Sequence, residues 1–228
     1  MAPMISTVII PVLGQHDLLE RCVKSLVWCV DTLIIVDNGD ELEEATVRSW
    51  LDEDDPMRVY VWRMPNGLSV AGSWNLGIKA MPYAPGWLLL NSDAWFANDP
   101  FEEYVRELRP DRIVLAGAPA WCCAWIGREV VQRVGLFCER FHPAYFEDND
   151  YEERARIMGI PVEYSSVDVR HDNSSTLERN PEYQAHNART FAANQAYMQY
   201  RWANVEADGL PATAEWDLTT RVRNGWEK

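Results

Sequence analysis

Short, uniformly apolar runs that alternate with amphipathic helical patterns constrain this chain more than any other feature of it. Thr7–Ile10, Leu33–Val36, Val59–Trp62 and Trp87–Leu90 are too short for core helices and read as buried strands. Between the first two, Leu19, Cys22, Val23, Leu26 and Val30 fall on one helical stripe within His16–Val30, with Asp17 and Glu20 at capping-box spacing. Asp40 and Glu43 repeat that spacing before a helix through Leu51, and Ser69–Ala80 is a third helix. This alternation predicts an α/β fold with a mostly parallel central sheet and helices on both faces. Ligands in such sheets bind beyond the carboxyl ends of the strands. Polar residues at those ends, Asp37, Asn91 and Asp93, are therefore the first candidates for a site.

The second half has a different texture. Asp99-Pro100 opens a helix, Ile113–Gly117 and Trp121–Gly127 read as strands, and Arg128–Val134 is a short helix stopped by Gly135. The acidic run 145–150 leads a helix that ends near Gly159, Val162–Val169 is a further strand ahead of His171, and Pro181–Trp202 is a polar helix. The tail after Asn204 reads as loosely packed. No repeat, low-complexity tract or long linker divides the chain.

Thirty-five acids against 21 bases give a formal charge of −14, which argues against a nucleic-acid partner because phosphate needs a basic face. It leaves nucleotides open, since a bound metal ion can supply positive charge locally. Five cysteines, an odd number without a Cys-x-x-Cys pair, read as reduced, buried thiols of a cytoplasmic protein. The apolar run Val8–Leu13 is too short to span a membrane and contains Pro11, and no secretion signal precedes it.

In Asn91-Ser92-Asp93, two oxygen-bearing side chains one residue apart follow a buried strand. They suit a hard divalent cation, and equally an ordinary Asn/Asp turn. Asp37-Asn38-Gly39 carries the same two readings. Glu147-Asp148-Asn149-Asp150 is more telling. One or two acids at a helix start are each stabilised by about 0.3–1 kcal/mol, but further carboxylates repel unless a metal or substrate offsets them. Tyr145 and Phe146 precede the cluster and suggest a walled pocket. His171 matters if the fold returns it to Asp93, whereas the other three histidines have no evident companions. Trp121 and Trp125 are candidates to stack on a sugar ring, with core placement the plainer alternative.

Taken in order, these blocks resemble the family 2 glycosyltransferases of the GT-A fold, and within them the rhamnosyltransferase-like branch. The resemblance runs from about Thr7 to about Thr176. It rests on Val8-Ile9-Ile10-Pro11, Ile34-Ile35-Val36-Asp37-Asn38-Gly39, Pro65-Asn66-Gly67-Leu68 and Ala71-Gly72-Ser73-Trp74-Asn75-Leu76-Gly77-Ile78. It continues through Leu88-Leu89-Leu90-Asn91-Ser92-Asp93, Val134-Gly135-Leu136-Phe137, Tyr145-Phe146-Glu147-Asp148-Asn149-Asp150 with Arg154 and Gly159, and His171 with Ser174-Ser175-Thr176. Three positions depart from the family pattern: Leu13-Gly14, Trp74 where arginine is frequent, and Asn91 in place of an aspartate.

The resemblance implies an inverting, metal-dependent enzyme that moves a sugar from a UDP- or dTDP-linked donor to an acceptor hydroxyl. It implies that Pro11, Asp37, Asn66, Asn75, Asn91 and Ser92 line the nucleotide pocket, with Asp37 meeting the pyrimidine. It implies that Asp93 and His171 hold Mn²⁺ or Mg²⁺ and that Asp148 is the general base; Trp121, Glu147 and Asp150 are candidate acceptor or sugar contacts. The expected layout is one GT-A domain over residues 1–180, with a nucleotide half to about 97 and an acceptor and catalytic half from about 98. Residues 181–228 form a C-terminal helical extension for acceptor binding or self-association into a homo-oligomer. The acceptor is a glycan, a lipid-linked sugar or a protein. The rival of another class is a catalytically inactive, nucleotide-sugar-binding relative of the same fold. A nucleotidyltransferase or dinucleotide dehydrogenase needs a glycine-rich loop after the first strand, and residues 11–16 contain none.

Overall fold

The computed structural model describes residues 4–26, 29–98, 101–172 and 181–203. Its first half is the expected alternation: β1 (Val8–Val12), α1 (His16–Lys24), β2 (Thr32–Asp37), α2 (Glu44–Arg48), β3 (Arg58–Arg63), α3 (Val70–Ala80) and β4 (Gly86–Leu90). Successive strand residues point to opposite faces. Val8 and Ile10 of β1, with Leu88 and Leu90 of β4, join Leu19, Cys22 and Val23 of α1 in one core; Ile9 and Leu89 join Trp74 and Ile78 of α3 in the other. Each such side chain, fully buried, contributes about 1.5–3 kcal/mol of hydrophobic stabilisation. The helix α3 lies so close to β1 that a Cβ at Gly77 would fall 2.6 Å from Ile9 Cδ1.

The chain continues through β5 (Ala94–Phe96), α4 (Phe101–Glu107), β6 (Ile113–Ala116), a 3₁₀ turn (Ala120–Cys122), β7 (Cys123–Gly127), α5 (Arg128–Val134), α6 (Glu147–Ile157), β8 (Val162–Tyr164), β9 (Val169–His171) and α7 (Pro181–Trp202). The central sheet has the order β3-β2-β1-β4-β7-β6-β8. Strands β1 to β4 are parallel to one another, β7 runs antiparallel to both β4 and β6, and β8 is parallel to β6. The sheet is thus mixed and mostly parallel, the α/β layering expected from the sequence. Strand order reverses at β1, which has β2 on one side and β4 on the other. This is the switch point where the crevice beyond the carboxyl ends opens.

Several local expectations change. The strand expected over Val162–Val169 is two: Ser165 N–H closes on Leu115 O at 2.8 Å, and the chain then leaves the central sheet for a two-stranded sheet of β5 and β9. The strand expected from Trp121 starts at Cys123, because Cys122 N–H turns back to Pro119 O. The first helix ends at Lys24, where Ser25 Oγ donates to Cys22 O, and Val30 instead bridges Ile5. Its capping box does not form, since Gln15 enters the helix left-handed at φ 55° with no side-chain cap. By contrast α5 has the expected bounds, and Gly135 stops it at φ 85°. Asp99-Pro100, Ser174-Ser175-Thr176 and the tail after Asn204 lie outside the described residues.

The helix α7 packs over the start of α6. Asn194 Nδ2 donates to Ala144 O at 2.9 Å, Arg201 Nε to Asp150 Oδ1 at 2.5 Å and Trp202 Nε1 to the same oxygen at 3.1 Å. Phe191 lies against the rings of Tyr145 and Phe146. All five cysteines are buried and unbridged, and no helix among the described residues is long and apolar enough to cross a membrane.

Candidate active site

A cavity of about 620 Å³ opens at the β1–β4 switch point, within the size range of small-molecule sites. Pro11 and Val12 border it from the end of β1; Asn91, Ser92 and Asp93 from beyond β4; Trp121 and Cys122 from the 3₁₀ turn; Glu147 and Asp148 from the start of α6; and His171 from β9. Expected residues therefore come together from five separate stretches of chain.

The Asp93–His171 pair is assembled by β-pairing. Strands β5 and β9 align Ala94 opposite His171, and Asp172 N–H donates to Asp93 O at 3.1 Å. His171 Nε2 consequently lies 2.8 Å from Asp93 Oδ1 and 3.3 Å from Asn91 Nδ2. Its side chain is 4% exposed, and its Nδ1 makes no hydrogen bond among the described residues. Arg21, stacked over the Trp95 ring, ion-pairs with Asp172 and braces this small sheet from α1.

Adjacent ligands of an octahedral ion with bonds of about 2.1 Å stand about 3.0 Å apart, so a carboxylate oxygen and an imidazole nitrogen 2.8 Å apart are spaced as such neighbours. Among the described residues no group of three or more His, Cys, Asp or Glu could hold a metal ion. The protein would thus supply two ligands and leave the rest to substrate phosphates and water, the usual arrangement for Mg²⁺. The donor set fits the expected ion.

Glu147 and Asp148 begin α6 behind two consecutive left-handed residues, Tyr145 at φ 77° and Phe146 at φ 75°. The helix is seated from below: Tyr151 stacks on Phe137 with centroids 4.1 Å apart, and Arg154 donates to Val134 O and Leu136 O and pairs with Asp150. Burial raises the Asp148 carboxyl above its ordinary range, opposed in part by the Asn149 N–H that it accepts at 2.8 Å. Burial, with the neighbouring Asp148 charge adding to it, pushes Glu147 up to about 8. Trp121 is fixed by its indole N–H, which donates to Glu152 at 2.7 Å.

Five candidate site residues sit elsewhere. Asp37 is fully buried, and its carboxylate accepts the N–H groups of Gly39, Glu41 and Leu42 at 3.0, 2.7 and 2.7 Å; it ties the turn and does not border the cavity. Its neighbour Asn38 does, bonded to Leu68 N–H and Ser73 Oγ. Asn75 is fully buried and spends its amide on Phe137 N–H and O and on Glu139. Asn66 is exposed and outside the lining, although the adjacent Gly67 and Leu68 are part of it. Asp150, also fully buried, is held by Arg154, Arg201 and Trp202. Trp125 is in the core, its indole N–H on Arg109 O.

Sequence reasoning missed Asn38, Trp74, His142 and His186 as lining residues. The two histidines gave no signal because their companions come from other elements. Asn38 was legible only as part of a turn. Among the described residues, no lysine or arginine lines the cavity.

A model of glycosyl transferase family 2 matches residues 7–162. No curated protein matches the chain in sequence. Solved structures of similar fold include a mannosyltransferase, PcManGT from Pyrobaculum calidifontis, in complex with GDP-Man and Mn²⁺. It has a TM-score of 0.59 at 13% identity over 89% of this chain and 71% of that one. GalNAc-T7 with UDP, GalNAc and Mn²⁺ has a TM-score of 0.58 at 12% identity over 74% of this chain and 44% of its own. Residues 1–349 of S. aureus TarS have a TM-score of 0.55 at 11% identity over 75% of this chain and 61% of that one.

Proposed function

The chain belongs to glycosyl transferase family 2, and we propose that it transfers a hexose from a UDP- or dTDP-sugar to an acceptor hydroxyl with inversion at the anomeric carbon. One observation carries this reading: the Asp93–His171 pair and the Asp148 carboxyl border a single cavity at the sheet's switch point.

Pro11, Asn38, Asn91 and Ser92 offer a neutral rim for the nucleotide. The diphosphate brings negative charge into a cavity whose described lining has no lysine or arginine, beside carboxyl groups of a −14 chain. Asp93 and His171 would hold a divalent cation, Mn²⁺ or Mg²⁺, that would offset that repulsion and supply Lewis-acid stabilisation of the departing diphosphate. The fold-related mannosyltransferase and GalNAc-T7 were both solved with Mn²⁺. Asp148 takes the proton of the acceptor hydroxyl as its oxygen bonds to the anomeric carbon and the bond from that carbon to the diphosphate breaks. A positioned base of this kind contributes about 10²–10⁴-fold, and burial makes Asp148 more basic than an exposed carboxylate.

Within the family, the motif set favours the rhamnosyltransferase-like branch. Five buried, unbridged cysteines suit a reducing compartment such as the cytoplasm. Calorimetry with UDP, dTDP and GDP in Mn²⁺, paired with a turnover screen of the corresponding nucleotide sugars, tests the reading. A pyrimidine nucleotide binding best, with loss on chelation, is expected. Tightest binding of GDP would overturn the donor class, and indifference to chelator would overturn the metal.

A further inference from the structure

Besides Nδ1 of His171, two polar atoms in residues that line the cavity are buried and have no hydrogen-bond partner among the described residues: Oε2 of Glu147 and Nε1 of Trp74. Glu147 is 6% exposed and Trp74 2%. Leaving such an atom unsatisfied costs about 1–3 kcal/mol, so each is a group built to meet something that enters. Glu147 stands beside Asp148, and two carboxyls side by side in a closed site do not both ionise cheaply. Of the two, Glu147 is the more deeply buried, and burial makes it the weaker acid. The other titratable groups around the cavity are Asp93, Cys122, His142, Tyr145, His171 and His186; Asp150 on the same helix is already neutralised by Arg154 and Arg201.

We propose that Glu147 is a second working carboxyl of the site, keeping its proton and donating a hydrogen bond through Oε2 to an oxygen of a neutral saccharide acceptor. It neither gains nor loses a proton in the reaction; Asp148 receives the proton of the attacking hydroxyl. The proposal rests on the transferase reading and adds the acceptor's chemical class. A neutral carboxyl and an indole N–H both call for oxygen lone pairs, which a sugar carries on its hydroxyls and ring oxygen. Trp121 provides an apolar wall for its C–H face. An acceptor bearing phosphate or carboxylate would meet Asp148 with no lysine or arginine from the described lining to offset the repulsion.

Difference infrared spectroscopy of the unliganded protein against Glu147→Gln, at neutral pH, reads the protonation state without any substrate. The carbonyl stretch of a protonated carboxyl is expected in the native protein and lost in the variant; carboxylate bands alone would overturn the proposal. Transfer is then measured to neutral p-nitrophenyl pyranosides and to matched glucuronides. Glu147→Gln, which keeps a neutral donor, should retain at least about a tenth of kcat/KM, while Glu147→Ala loses about a hundredfold. UDP affinity in Mn²⁺ should stay near native in both. Glutamine as damaging as alanine, or glucuronides preferred to neutral glycosides, would overturn it. A native protein that turns over no nucleotide sugar overturns the transferase reading and the acceptor class with it, while the infrared result still decides the protonated carboxyl.

Discussion

His171 Nε2 lies 2.8 Å from Asp93 Oδ1 because β9 and β5 pair with His171 opposite Ala94. Two side chains far apart in the sequence are thus held together by backbone register. His171→Ala should weaken UDP binding in Mn²⁺ by at least the tenfold to hundredfold typical of residues that merely orient metal ligands. Binding in EDTA should be the same for variant and native protein. Equal losses in both conditions would make the histidine structural.

The fully buried Asp150 carboxylate holds Arg154, Arg201 and the Trp202 indole, and so ties α7 to α6. Removing one member of a buried ion pair costs about 3–5 kcal/mol. Asp150→Ala should therefore lower Tm by about 6–20 °C. A calorimetric scan that finds native stability would show that the arginines are satisfied without it.

Tyr145 and Phe146 sit left-handed immediately before Glu147 and Asp148, a conformation that costs a non-glycine residue about 1–2 kcal/mol. Phe191 of α7 lies 5.4 and 5.0 Å from their ring centroids and helps hold them there. Phe191→Ala should lower kcat several-fold with UDP affinity unchanged, and Phe191→Leu should restore most of it. A variant that loses donor affinity instead would place Phe191 with the nucleotide.

Strand–helix alternation revealed the layered sheet and the strand ends that matter, since each apolar run carries its own evidence of burial. Helix α5 was fully legible because Gly135 stops it locally. The insertion of β7 antiparallel between β4 and β6 was not, because an apolar run looks the same in either direction. Asp37, Asn75 and Asp150 were read as site groups and turn out to be consumed by backbone amides, a distant carbonyl and two arginines. A polar residue in sequence does not disclose its partner when that partner lies on another element. One signal did exist: Asp150 and Arg154 are four residues apart on a helix, the spacing of an ion pair.

Burial raises the Glu147 carboxyl from 4.5 to about 8. Between those values the folded protein binds more protons than the unfolded chain, so stability falls as pH rises, by at most about 1.4 kcal/mol per pH unit. The contribution is intact below 4.5 and lost above about 8. Urea midpoints across this window should decline more steeply for the native protein than for Glu147→Gln. Parallel curves would mean that Glu147 titrates as an ordinary surface carboxylate.

The most direct measurement is Asp148→Asn, assayed for sugar transfer from its best nucleotide-sugar donor alongside calorimetry with the matching nucleotide in Mn²⁺. Transfer should fall by about 10²–10⁴-fold while nucleotide affinity stays within about threefold of native, since the proposed metal ligands are Asp93 and His171 and not Asp148. Near-native turnover in that variant would contradict the assignment of Asp148 as the base on which the reaction depends.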